Sequence, residues 1–140
     1  MEISVFKGDK IEEIRKITSK FLYEHLDEFG DPLEDILACL DYAKNRGGKA
    51  FVAKENEEVV GAVVTNETGM KGYIPENMLV YIAVDSKMRG RGVGKKLMEK
   101  TIEETEGDIA LHVEDDNPAR FLYEKVGFTN PYIEMRYKRK

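Results

Sequence analysis

Apolar residues recur at helical and strand periods along most of the chain, and the switches between the two periods divide it into elements. A short apolar start, Ile3 to Phe6, precedes Ile11, Ile14, Ile17, Phe21 and Leu22, which follow one helix face and predict a helix over about 10–24. Asp31-Pro32 predicts an N-cap and a first helical position for a second amphipathic helix carrying Leu33, Ile36, Leu37, Leu40 and Ala43, stopped by Gly47-Gly48. Ala50 to Lys54 and Glu58 to Thr65 read as two strands joined by the polar turn Glu55-Asn56-Glu57, a hairpin, with Gly61 marking a bulge or a close contact. Residues 66–77 lack either period and read as a loop. The run Met78 to Val84 predicts a central strand buried on both faces. Val93, Leu97, Met98 and Ile102 give a helix to about 106, and Asp108 to Val113 a further strand. Asn117-Pro118 caps a last helix with Ala119, Leu122, Tyr123 and Val126 inward, and Tyr132 to Tyr137 is the clearer of one or two terminal strands. This order predicts an α/β domain with a mixed sheet of about six to seven strands, flanked on both faces by about four helices.

With 140 residues the chain is expected to form one domain that needs neither a disulfide nor a metal to stay folded. Its single cysteine, Cys39, reads as a small apolar helix residue. The start, MEISVFKGDK, lacks the pattern of a secretory signal, and no apolar run approaches the ~20 residues of a membrane span, so a cytoplasmic protein without a membrane partner is expected. A formal net charge of −5 opposes general nucleic-acid binding. Residues 81–100 are different. They carry Lys87, Arg89, Arg91, Lys95, Lys96 and Lys100 against Asp85 and Glu99, a local +4 that suits a small polyanionic ligand.

That basic segment includes Arg89-Gly90-Arg91-Gly92-Val93-Gly94, a glycine-rich turn that follows a buried strand and opens a helix. Backbone N–H groups at a helix N-terminus lack internal partners, and the helix dipole favours an anion there. Glycines remove the Cβ atoms that would hold an oxyanion away, while Arg89, Arg91 and Lys95 supply charge-assisted bonds. Gly90, Gly92 and Gly94 alternate, unlike a dinucleotide fingerprint, and the spacing of a Walker loop is absent. By itself the segment remains compatible with a surface turn.

A second motif lies downstream: Asn117, Ala119, Leu122, Tyr123, Gly127 and Phe128. Arg89, Gly92 and Gly94 after an apolar strand, together with that stretch, resemble the GNAT superfamily of N-acetyltransferases. The resemblance implies the fold of that family over residues 1–140, acetyl-CoA as co-substrate and transfer of its acetyl group to a primary amine. It further implies that the main chain of Ile82, Ala83 and Val84 pairs with the pantetheine arm and that Arg89 to Lys95 hold the pyrophosphate. Asn117 would contact the coenzyme, a role compatible with capping its helix. Tyr123 holds the position from which many relatives protonate the departing sulfur, and a core tyrosine with a satisfied hydroxyl is the plainer alternative.

Two residues compete as base toward the amine. His112 stands five residues before Asn117, where some relatives carry a carboxylate, and an imidazole titrates in the range needed to take a proton directly or through water. Glu76 stands at the entry to the central strand. Neither histidine has spacing that suggests a metal. The acceptor, a small molecule or a protein, is expected between the first two helices and the loop 67–73, as the resemblance implies. Glu24, Asp27, Glu28 and Asp31 there would attract a cationic amine or form a solvated acidic helix end. A non-catalytic acyl-CoA sensor or assembly module of the same fold is the alternative function. Nucleic-acid binding through the loop and the tail Arg136 to Lys140 is disfavoured by the acidic remainder. Pairing of Tyr132 to Tyr137 across a sheet edge would make a homodimer.

Overall fold

The computed structural model describes residues 1–26 and 29–139, so Asp27 and Glu28 of the acidic stretch and Lys140 of the tail lie outside the described residues. One sheet runs in the order β1 (Glu2–Phe6), β2 (Gly48–Glu55), β3 (Glu58–Glu67), β4 (Asn77–Val84) and β5 (Ile109–Leu111). The first four strands are antiparallel and β5 lies parallel to β4, which makes the sheet mixed. Side-chain alternation sends Ala50, Val52, Ala62 and Val64 against α1 (Arg15–His25) and α2 (Leu33–Arg46), where Leu22, Ile36 and Leu40 are fully buried. Phe51, Ala53 and Val63 point the other way, onto α3 (Val93–Glu103) and α4 (Ala119–Lys125). The expected α/β layering with a helical cover on both faces is therefore what the chain adopts.

Five strands form among the described residues, fewer than expected. Tyr132 to Tyr137 alternates as a strand would, yet it takes no element, and Tyr132, Ile133, Met135 and Tyr137 are at least 82% exposed. A strand needs a neighbour for its N–H and C=O groups, and residues 129–139 have no backbone partner among the described residues. The first helix also differs. Gly8–Glu13 form a 3-10 turn, and Ile14 has the non-helical angles φ −119° and ψ 5°. The phase restarts at Arg15, so Thr18, Ser19, Phe21 and Leu22 face inward and Ile17 is turned out to 48% exposure. At α2 the residue before the helix is Pro32, and among the described residues the carboxylate of Asp31 caps no backbone N–H; Oδ2 accepts instead from the Tyr81 hydroxyl at 2.6 Å. No helix among the described residues is long and apolar enough to cross a membrane.

Gly61 is a close contact as well as a neighbour of a bulge. A Cβ there would meet Leu97 Cδ1 at 2.7 Å and Val93 Cγ1 at 3.2 Å, so the missing side chain lets the first turns of α3 rest directly on β3. The β2–β3 register shifts beside it, leaving Val60 unmatched between Gly61 and Val59. Gly61→Ala is expected to destabilise the fold by about 1–3 kcal/mol through overpacking, measured as a lower urea midpoint at unchanged slope.

Candidate active site

The site begins where β4 and β5 separate. Their parallel pairing runs from Asn77 with Ile109 to Leu79 with Leu111 and then ends, so among the described residues Val80 to Val84 of β4 have a strand neighbour only on the β3 side. That leaves the main chain of Ile82, Ala83 and Val84 with one unpaired edge, a template for an extended ligand. On the β3 side Val64 pairs with Tyr81 and Thr65 with Leu79, which makes Val80 an extra, unmatched residue. The bulge reverses the alternation. Leu79 packs toward α3, Val80 is 37% exposed, and Tyr81 packs toward α1 and α2. Burial on both faces, expected for this strand, holds at Leu79, Tyr81 and Ala83 and fails at Val80 for that reason.

The glycine-rich turn lies at the C-terminal end of β4. Asp85 donates its N–H to the Val60 carbonyl (2.9 Å) and accepts from the Met88 and Lys87 amides, folding Ser86–Met88 into a 3-10 turn. Gly90 and Gly92 take φ of 81° and 79°, the left-handed region that glycine enters without a Cβ penalty. A Cβ at either would meet nothing within 4 Å, so both border open space. Gly92 precedes α3 and accepts from Lys96 at 3.0 Å, whereas the N–H groups of Val93, Gly94 and Lys95 have no partner among the described residues. Arg89, Arg91 and Lys95 are exposed and in no ion pair among the described residues. Val93 differs from its neighbours: its side chain is buried in the core, leaving its amide as its contribution to the turn. Gly94 lies against Leu122 and Val84, at 3.0 and 3.7 Å from an added Cβ, which sets the start of α3 beside both β4 and α4.

Asn117 caps α4 as expected: its Oδ1 accepts from the Ala119 N–H at 2.9 Å. Tyr123 is 7% exposed within the cluster of Val93, Leu97 and Met98, and its hydroxyl has no protein partner among the described residues. Burial pushes its pKa up to about 12, so the phenol keeps its proton at neutral pH. His112 stands one residue beyond the end of β5, not within a strand reaching Val113, and is exposed. His112 directly follows Leu111, the last β5 residue paired with β4, so it stands where the two strands part.

Glu76 is differently employed. Its Oε1 accepts from the Asp108 N–H at 2.9 Å and its Oε2 from the Gly72 N–H at 3.4 Å, joining the loop before β4 to the start of β5. The Asp108 bond chiefly, with further backbone donors, lowers the Glu76 pKa. A carboxylate depressed in the folded state stabilises above its unfolded pKa, and that contribution disappears as pH falls through the folded value. The urea midpoint of the parent should therefore exceed that of Glu76→Gln at pH 7, and the difference should shrink below pH 4.

Sequence reasoning did not single out Val80 or Tyr81. A tyrosine inside an otherwise apolar run was the available signal, since a buried phenol needs a partner.

The model of the Acetyltransferase (GNAT) family matches residues 11–128. N-alpha-acetyltransferase 30 of Xenopus laevis is 36% identical over 92 residues, covering 62% of this chain and 34% of that protein. The [ribosomal protein bS18]-alanine N-acetyltransferase of Haemophilus influenzae is 32% identical over 101 residues, covering 67% of this chain and 66% of that protein. The chain thus spans between a quarter and two thirds of the length of the curated relatives it matches. Among solved structures, a putative acetyl transferase from Pyrococcus furiosus superposes with a TM-score of 0.63 at 25% identity, covering 99% of this chain and 100% of that one. A probable acetyltransferase reaches 0.73 at 17% identity, covering 100% and 97%, and shares the fold.

Proposed function

This chain belongs to the GNAT acetyltransferase family, and on that premise we propose that it transfers an acetyl group from acetyl-CoA to a primary amine by direct attack in a ternary complex. The observation that carries this reading is the continuity of an unpaired β4 edge with three partnerless amides at the start of α3. Extended pantetheine amides suit the first and a pyrophosphate the second. Acetyl-CoA supplies an activated thioester. Arg89, Arg91 and Lys95 neutralise its phosphates, Gly90 and Gly92 let them approach the backbone, and Asn117 keeps its Nδ2 for the coenzyme while Oδ1 holds the cap.

The amine nitrogen adds to the thioester carbonyl, the tetrahedral oxyanion collapses, and the C–S bond breaks to release a thiolate. His112 accepts the proton that the nitrogen loses, directly or through water. Tyr123 donates a hydrogen bond to the departing sulfur. Burial raises the phenol's pKa, so it stays protonated and stabilises the charge that develops on sulfur, and the thiolate takes its final proton from solvent. Glu76 acts as a clip, not as the base. Direct transfer is favoured because the one cysteine is poorly suited as an acyl carrier: Cys39 is 8% exposed and burial pushes its thiol up to about 12.

A peptide α-amine is the acceptor to test first. Two relatives are named for N-terminal or alanine acetylation. At pH 7.5 about 30% of an α-amine is neutral against about 0.1% of a lysine amine, which suits a site with one exposed imidazole as base. With acetyl-CoA and an alanine-initiated peptide, thiol release should match peptide acetylation one to one. His112→Ala should lower kcat/KM on the order of tenfold at pH 7 and recover as pH rises. No thiol release with any peptide, polyamine or lysine amine would contradict the proposed activity.

A further inference from the structure

The hydrogen bond from Tyr81 Oη to Asp31 Oδ2, at 2.6 Å, joins residues 50 apart in sequence. Tyr81 is 7% exposed and follows the Val80 bulge directly; without that extra residue, alternation would turn its ring toward α3. The bulge instead sends the hydroxyl through the α1/α2 layer to an exposed carboxylate that precedes α2. Burial first, and Asp31 second, raise the Tyr81 pKa, so the phenol is always the donor. Around this bond Phe29 donates to the Leu26 carbonyl, and Leu26 packs against the core cluster that contains Tyr81. No other side-chain bond among the described residues joins this connection to β4.

We infer that Tyr81 and Asp31 are positioning residues, whose hydrogen bond fixes the segment before α2 as one wall of the amine's approach to the Val80 bulge. The inference rests on the proposed acetyl transfer, in which the thioester lies where β4 and β5 part. With the coenzyme along the free β4 edge and α3 closing one face, the opposite face, where Tyr81 meets Asp31, is left to the acceptor. The bond touches neither the phosphate turn nor His112 or Tyr123, so it should act on the acceptor and leave coenzyme binding unaffected.

The test measures KM for an alanine-initiated peptide, kcat, the Kd for acetyl-CoA, and amide hydrogen exchange over residues 29–36, in the parent and in Tyr81→Phe, Asp31→Ala and Asp31→Asn. Tyr81→Phe and Asp31→Ala should raise KM about five- to tenfold and speed exchange, with kcat and Kd near the parent. Asp31→Asn retains an acceptor oxygen and should stay near the parent; behaviour like Asp31→Ala would overturn the inference by making charge the operative feature. Unchanged KM or unchanged exchange in Tyr81→Phe would also overturn it. If the parent itself turns over no amine, the proposed function fails and the acceptor role falls with it, while exchange alone still decides whether the bond holds the segment.

Discussion

Tyr123→Phe is expected to lower kcat about 10²–10³-fold while leaving the Kd for acetyl-CoA near that of the parent. The substitution removes one hydroxyl and keeps the ring that fills the cluster of Val93, Leu97 and Met98. Since that hydroxyl has no protein partner among the described residues, its loss leaves no buried group unsatisfied and should cost little stability. The effect therefore belongs to the transition state, where the sulfur acquires charge beside a donor in a low-dielectric setting. Steady-state kinetics with calorimetric binding of acetyl-CoA separates the two quantities. A kcat within a few-fold of the parent would return Tyr123 to a core residue.

Gly92→Glu is expected to abolish acetyl-CoA binding in the range where the parent is saturated. Two effects act together. The left-handed φ of 79° costs a side-chain residue about 1–2 kcal/mol, and a carboxylate enters the space bordered by the free amides of α3. Ligand at about 100 times its Kd should stabilise the parent by roughly 2.7 kcal/mol and raise its midpoint by several degrees. Because the variant is weakened by strain alone, each protein is compared with its own ligand-free midpoint. The parent should shift and the variant should not.

Local features were the legible ones. The apolar run before the glycines marked β4, and alternating Gly90, Gly92 and Gly94 marked the turn that opens α3, because strand burial and helix-terminus chemistry are both written within a few residues. Asn117 was likewise readable as a cap. Features set by residues far apart were not. The Val80 bulge is a mismatch with β3 and has no signature in β4 itself. Asp31 precedes a proline as a cap would, yet a tyrosine 50 residues away takes its carboxylate. Ile17 fits the helical period only if Ile14 is helical, and Ile14 is where the phase breaks. Glu76 and His112 were equal candidates as base in the sequence; that the Glu76 carboxylate is bonded to the Asp108 amide, while His112 stands exposed just beyond β5, depends on residues far apart in the chain.

The most direct test of the account is backbone amide exchange, residue by residue, with and without acetyl-CoA. Protection at Val93, Gly94 and Lys95 together with Ile82 to Val84 is the predicted result, since the coenzyme would satisfy the helix-terminal donors and the free strand edge at once. Saturating acetyl-CoA that protects neither group, or protects amides elsewhere in the chain, would contradict it.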